Sequence, residues 1–197
     1  MKEDQVNIVV HGHVPLLSDM VAEASVDPEL IKLAGEKGAK GINVVGICCT
    51  ANEILMRRGI NIAGSILQQE LALATGAVDL MLVDLQCIMP SLPEVAKCFH
   101  TKVVSTSPKA KFPGTDYIEF KEEEGLSTAK RIIREAVENY PNRKKEMVKI
   151  PQGTMDLVAG FTTEYIYEML GGKYRATYRP LNDGIISGRI RGIAALV

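Results

Sequence analysis

The sequence predicts an α/β chain built on a doubly wound, mainly parallel sheet with helices on both faces. Two observations predict it. Short apolar runs alternate with segments of helical periodicity along most of the chain, as strand–helix–strand units do. The runs are also nearly continuous in apolar residues, as expected of strands buried on both sides, where a half-exposed strand would alternate. A sheet of this kind is Rossmann-like.

The elements follow in order. Val6–Val10 is the first strand. Helical segments span Pro15–Ala24 and Pro28–Lys37, each opening on a proline, whose fixed φ and missing N–H suit a first helical turn. Ile42–Ile47 (I-N-V-V-G-I) is the second strand, followed by helical patterns at Ala51–Arg58 and Ser65–Thr75. Val78–Leu85 is the third strand and Leu92–Phe99 the next helical region. Lys102–Thr106 and Tyr117–Phe120 read as short strands. In the helix that follows, Leu126, Ala129, Ile132, Ile133, Ala136, Val137 and Tyr140 share one face. Lys130, Arg131, Arg134, Glu135 and Glu138 lie elsewhere on it, a pattern that reads as a solvated face.

Pro141–Lys145 (P-N-R-K-K) is polar and turn-rich and reads as a boundary. It separates a domain over 1–145 from the start of a second α/β domain over 146–197, with helices expected at Thr154–Leu170 and Leu181–Ile186. The last apolar run, Arg189–Val197, reads as a strand, and its position suggests a truncated domain.

Composition bounds the function. The 197 residues are 46% hydrophobic and 24% charged, enough for a sizeable core. A formal charge of −1 offers no basic field for nucleic acid or an anionic membrane. No apolar run reaches the roughly 18 residues of a membrane span, and the polar start Met1–Gln5 is unlike a signal peptide, so a cytoplasmic protein is expected. The four cysteines, Cys48, Cys49, Cys87 and Cys98, then read as thiols or metal ligands and not as disulfides. No G-x-G-x-x-G, Walker or G-x-S-x-G motif and no C-x-x-C pair is present.

The chemistry lies at strand ends. Val6–Val10 runs into His11-Gly12-His13, Ile42–Ile47 into Cys48-Cys49, and Val78–Leu85 into Gln86-Cys87. Ligands of open α/β sheets bind beyond the carboxyl ends of the strands. If the three strands are parallel neighbours, His13, one of the paired cysteines and Cys87 converge. Two thiolates and an imidazole suit zinc, copper, nickel or an iron–sulfur centre and disfavour magnesium or calcium. Gly12 permits a sharp turn between the two histidines. Cys98 reads as a packing residue, His100 as a helix cap or surface residue, and the basic loop Ser107–Lys111 as solvated.

Five segments carry a family resemblance: V-V-H-G-H-V-P-L-L-S-D (Val9–Asp19), G-I-N-V-V-G-I-C-C-T-A-N-E (Gly41–Glu53), L-M-R-R-G-I (Leu55–Ile60), Q-Q-E-L-A-L-A-T-G-A-V-D (Gln68–Asp79) and D-L-Q-C-I-M-P-S-L (Asp84–Leu92). They strongly resemble the central domain of the catalytic subunit of anaerobic nickel–iron–sulfur carbon monoxide dehydrogenases, in the prismane/hybrid-cluster-like superfamily. T-S-P-K-A-K and V-A-G-F-T-T-E extend the match over nearly the whole chain.

The resemblance implies an oxidoreductase that converts CO and water to CO2, two protons and two electrons at a Ni-4Fe-S cluster. It implies that His13 and Cys49 hold an outer iron, that Cys87 holds an iron of the cubane, and that Cys48 is a neighbour. Catalytic residues are expected outside this chain, which alone is expected to be inactive. Further 4Fe-4S clusters, a ferredoxin-like electron carrier and a homodimer are implied for the full-length enzyme. Two departures stand out: a longer spacing between His13 and Cys49 around Val26–Pro28, and Ala51 where relatives often carry glycine. Competing readings are a zinc-dependent hydrolase or lyase using His13, Cys49 and Cys87, and a metal-free structural domain. A hybrid-cluster hydroxylamine reductase is disfavoured by Cys48-Cys49, where that group is expected to place a carboxylate.

Overall fold

Six parallel strands form one sheet: β1 (Val6–His11), β2 (Ile42–Ile47), β3 (Ile62–Gly64), β4 (Leu80–Val83), β5 (Lys102–Ser105) and β6 (Asp116–Tyr117). Their spatial order is β3-β2-β1-β4-β5-β6. The chain winds outward from β1 to β3, returns to place β4 beside β1, and winds outward again. The predicted doubly wound parallel sheet is present. Its direction reverses between β1 and β4, so the crevice at their carboxyl ends is a topological switch point. A computed structural model describes residues 1–157, 163–170 and 178–194.

Alternation along the strands sorts the core into two layers. Val6, Ile8 and Val10 of β1 and Leu80 and Leu82 of β4 pack with α1 (Pro15–Ala24), α2 (Pro28–Glu36), α3 (Cys48–Arg58) and α6 (Gly125–Asn139), through Leu17, Val21, Leu30, Ile54, Ile132 and Ile133. Val9, Met81 and Val83 point to the other face and pack with Leu73 of α4 (Gln69–Ala74) and Leu92 of α5 (Leu92–Ala96). Each such aliphatic side chain, fully buried, contributes about 1.5–3 kcal/mol. Helices therefore cover both faces, as the apolar strands require.

Several local expectations are corrected. β3 was not anticipated, because three half-buried residues at the sheet edge carry too little periodicity. The strand expected over Tyr117–Phe120 is only Asp116–Tyr117. Leu126 is 42% exposed, since α6 turns it off the packed face. The α6 charges are more than solvated: Lys130 pairs with Asp27, Glu135 with Lys102 and Glu138 with Lys37. Cys98 lies past the end of α5 and is exposed, so it does not pack.

The chain divides into two units, Met1–Leu157 and Val158–Val197. The turn-rich stretch Pro141–Lys145 lies within the first, where Arg143 is buried. Arg143 is paired with the fully buried Asp79, which also meets His100 Nε2 at 2.8 Å and the Asn7 amide at 2.7 Å. His100, expected as a helix cap or surface residue, instead turns its side chain inward, where it is 3% exposed. In the second unit, α7 (Thr163–Leu170) and α8 (Arg179–Ile186) are helical. Residues 154–157 of the helix expected over Thr154–Leu170 are irregular, and 158–162 lie outside the described residues. Residues 189–194 form no strand, and 195–197 lie outside the described residues. A strand requires a ladder partner for its backbone, and among the described residues none pairs with this run.

One tie between α1 and α3 is sensitive to pH. Arg58 donates to both carboxylate oxygens of Asp19, at 2.8 and 3.1 Å, and holds that carboxyl below the usual aspartate range. A lowered folded-state pKa means that the stabilisation is complete above the unfolded pKa and fades as pH falls through the folded value. Arg58→Met is therefore expected to lower the urea midpoint at pH 7, with the gap to the parent closing in acid. A gap that persists below both pKa values would assign the loss to packing.

Candidate metal centre

The carboxyl ends of β2, β1 and β4 lie side by side, because β1 pairs with β2 (His11 opposite Ile47) and with β4 (His11 opposite Val83). The residues immediately beyond them are the predicted donors. His13 and Cys87 meet across the switch point, with Nε2 and Sγ 4.0 Å apart. The imidazole is oriented from behind. Its Nδ1 lies 3.1 Å from the Leu85 carbonyl, which can only accept, so Nδ1 carries the proton and Nε2 faces the thiol. A histidine pinned at one nitrogen by a carbonyl is the usual arrangement of a metal-ligating imidazole.

Asp84 builds the turn that carries His13. Its carboxylate accepts from the amides of His13 (2.7 Å), Val14 (2.9 Å) and Leu85. Gly12, at φ +142°, passes so close that a Cβ there would fall on this carboxylate. On β2, Gly46 allows Ala51 of α3 to approach in the same manner, which brings α3 directly onto the strand end. The helix therefore starts at Cys48, three positions earlier than its pattern suggests, and Thr50 donates its amide to the Gly12 carbonyl at 3.0 Å.

Backbone strain is concentrated here. Among the described residues, the non-glycine residues with positive φ are Cys48 (61°), Gln86 (60°) and Cys87 (53°), all just past β2 or β4. Each such conformation costs roughly 1–3 kcal/mol and persists where surrounding contacts over-determine it, most often at functional sites. For Cys87 those contacts are visible. Its carbonyl accepts from His11 Nε2 at 3.1 Å and from Gln69 Nε2 at 2.6 Å.

The three thiols at the strand ends differ in setting. Cys87 and Cys49 are exposed, and Cys48 is partly buried. Burial pushes the Cys48 thiol up to about 11, with Cys87 and Cys49 adding to the shift, so Cys48 stays protonated at neutral pH. Burial likewise lowers the His11 pKa.

What converges is a pair. Among the described residues no group of three or more His, Cys, Asp or Glu side chains closes around one point. His13 and Cys87 come together, while Cys49 stands on the same sheet edge, on the first turn of α3. The pair, with its free Nε2 and soft sulfur, fits part of a cluster's donor set. Sequence reasoning missed Gln69, Asp84 and His11, the side chains that hold the candidate donors His13 and Cys87. Asp84 had one signal, a carboxylate directly after the apolar run Leu80–Val83, and Gln69 had none beyond a polar residue on a buried helix face.

The model of the Prismane/CO dehydrogenase family matches residues 1–197. The chain belongs to that family. It is 56% identical over its whole length to carbon monoxide dehydrogenase 1 of Methanosarcina acetivorans, of which it spans 31%. The nickel-free crystal structure of carbon monoxide dehydrogenase from Thermococcus sp. AM4 superimposes with a TM-score of 0.84 at 53% identity, covering 97% of this chain and 30% of that one. A chain of an acetyl-CoA synthase/carbon monoxide dehydrogenase, described with NiZn[Fe4S4] and NiNi[Fe4S4] clusters in its alpha subunits, gives 0.82 at 44% identity, covering 98% of this chain and 29% of that one. The chain thus spans less than a third of these relatives. No helix among the described residues is long and apolar enough to cross a membrane.

Proposed function

We propose that this chain provides part of the nickel–iron–sulfur site of a carbon monoxide dehydrogenase, with His13, Cys49 and Cys87 as its protein donors. The full protein oxidises CO with water to CO2, releasing two protons and two electrons to a ferredoxin-like carrier. The observation that carries this reading is the His13–Cys87 pair, 4.0 Å apart at the switch point of a parallel sheet and held by strained backbone. The identity of 56% to a named carbon monoxide dehydrogenase supports the choice of chemistry over a zinc hydrolase.

When bound, a cluster of this kind supplies the Lewis acid and the redox couple. The chain's own residues have narrower tasks. His13 presents Nε2 because the Leu85 carbonyl holds Nδ1. Asp84 fixes the turn that aims the ring. Cys87 presents its thiol from a loop whose carbonyl is tied to His11 and Gln69. Cys49 stands at the amino end of α3, the positive pole of the helix, a favourable place for an anionic ligand.

Anaerobic reconstitution with iron, sulfide and nickel, followed by metal and sulfide analysis, tests the reading. The parent chain is expected to retain iron and sulfide, and His13→Ala and Cys87→Ala to lose most of both. Retention unaffected by either substitution would refute the site. Zinc bound without sulfide would support the hydrolase reading in its place.

A further inference from the structure

We infer that Gln69 is a positioning residue for the Cys87 donor: its buried amide grips the backbone of the loop after β4 and holds the thiol against His13. The inference rests on the reading of His13 and Cys87 as metal donors. Gln69 is fully buried, on the first turn of α4, where an apolar side chain would otherwise be expected. Its polar atoms are all used. Nε2 donates to the Cys87 carbonyl at 2.6 Å and to the Ile66 carbonyl at 3.0 Å, and Oε1 accepts from the Met89 amide at 3.0 Å. One side chain thus engages the loop at two backbone points, one on either side of Ile88.

The loop needs such a grip. Gln86 and Cys87 are consecutive residues with positive φ, and neither is glycine. Relaxation of either residue to negative φ would swing the Cys87 Cβ, and with it the thiol, away from Nε2 of His13. The hydrogen bond from His11 alone fixes the Cys87 carbonyl at one point. With Gln69 the carbonyl has two donors, and the Met89 amide is fixed as well. An amide is suited to this task because it donates and accepts at once, and a buried carbonyl and a buried N–H left unpaired would both be costly. Groups that orient a metal ligand from outside the first shell typically change affinity by about tenfold to a hundredfold when removed.

Cobalt(II) is a suitable probe, since a bound cysteine thiolate gives it a near-ultraviolet charge-transfer band. The full 197-residue chain is titrated as the parent, Cys87→Ala, Gln69→Leu, Gln69→Glu and Leu73→Ala. Leu73→Ala serves as a control that weakens the packing of α4 and leaves the Gln69 hydrogen bonds to the loop in place. Gln69→Leu is expected to bind cobalt about tenfold or more weakly and to lose intensity in the thiolate band, by the same positioning argument. Gln69→Glu, which keeps the acceptor for Met89 but not the amide donor for Cys87, is expected to move in the same direction. Leu73→Ala is expected to lower the melting midpoint and leave affinity and band unchanged. Parent-like affinity and spectrum in both Gln69 variants would overturn the inference, as would collapse of the fold in both, which would make Gln69 a folding residue. Parent-like binding by Cys87→Ala would instead refute the metal reading itself, so the two failures are distinguishable.

Discussion

Gly12→Ala is expected to destabilise the first unit by roughly 2–6 kcal/mol, the combined cost of a strained backbone and an overpacked junction. At φ +142° the residue occupies a region that side chains rarely enter. The added Cβ would also fall on the Asp84 carboxylate, which cannot simply move aside. It accepts from the His13, Val14 and Leu85 amides, so displacing it frees three donors in a half-buried turn. The urea midpoint should fall with the slope unchanged. The double variant Gly12→Ala, Asp84→Ala should not recover, because removing the carboxylate relieves the overlap and leaves those amides without an acceptor. A loss below about 0.5 kcal/mol, the range of ordinary surface substitutions, would mean that the turn re-forms in another conformation.

The second large effect lies at the opposite end of the sheet. Asp79→Ala is expected to cost about 3–5 kcal/mol, the usual result of stripping one partner from a buried ion pair. Asp79 is fully buried between the Arg143 guanidinium and the His100 ring, and its carboxylate also accepts the Asn7 amide. Arg143 has other partners, the carbonyls of Glu3 and Gln5 at 2.6 and 2.8 Å and the Tyr140 ring at 4.5 Å, but none carries a negative charge. Removing Asp79 therefore strands a buried cation and leaves the Asn7 amide unpaired. Arg143→Met combined with Asp79→Leu should be less destabilising than Asp79→Ala alone, since both charges leave together. Denaturant curves of the single and double variants measure the coupling directly. If the single variant loses less than about 1 kcal/mol, a typical value for an exposed pair, solvent reaches Arg143 more freely than its burial implies.

Both effects concern residues whose types were legible in the sequence and whose partners were not. Gly12 was readable as a turn between two histidines, because glycine between a strand and a proline-opened helix has few other uses. That the turn is shaped around Asp84, 72 positions away, depends on β1 lying next to β4. His100 carried a misleading local signal. It follows a helix and has the composition of a cap, but the β4–β5 pairing sets it beside Asp79 in the core. Cys98 misled in the opposite sense, because α5 ends at Ala96, before the helical pattern does.

The sequence by itself determined strands β1, β2, β4 and β5, the parallel doubly wound class and the positions of the candidate donors just past three strand ends, because nearly continuous apolar runs between helical segments leave few other arrangements. Through its motifs it also pointed to the family. Tertiary structure decided which candidate donors meet. Strand order places β1 between β2 and β4, and only then do His13 and Cys87 face each other across the switch point, with Cys49 at the start of α3 outside their contact. It also decided what holds them: Asp84, His11 and Gln69 act through backbone groups far away in sequence, and such hydrogen bonds leave no periodicity to read.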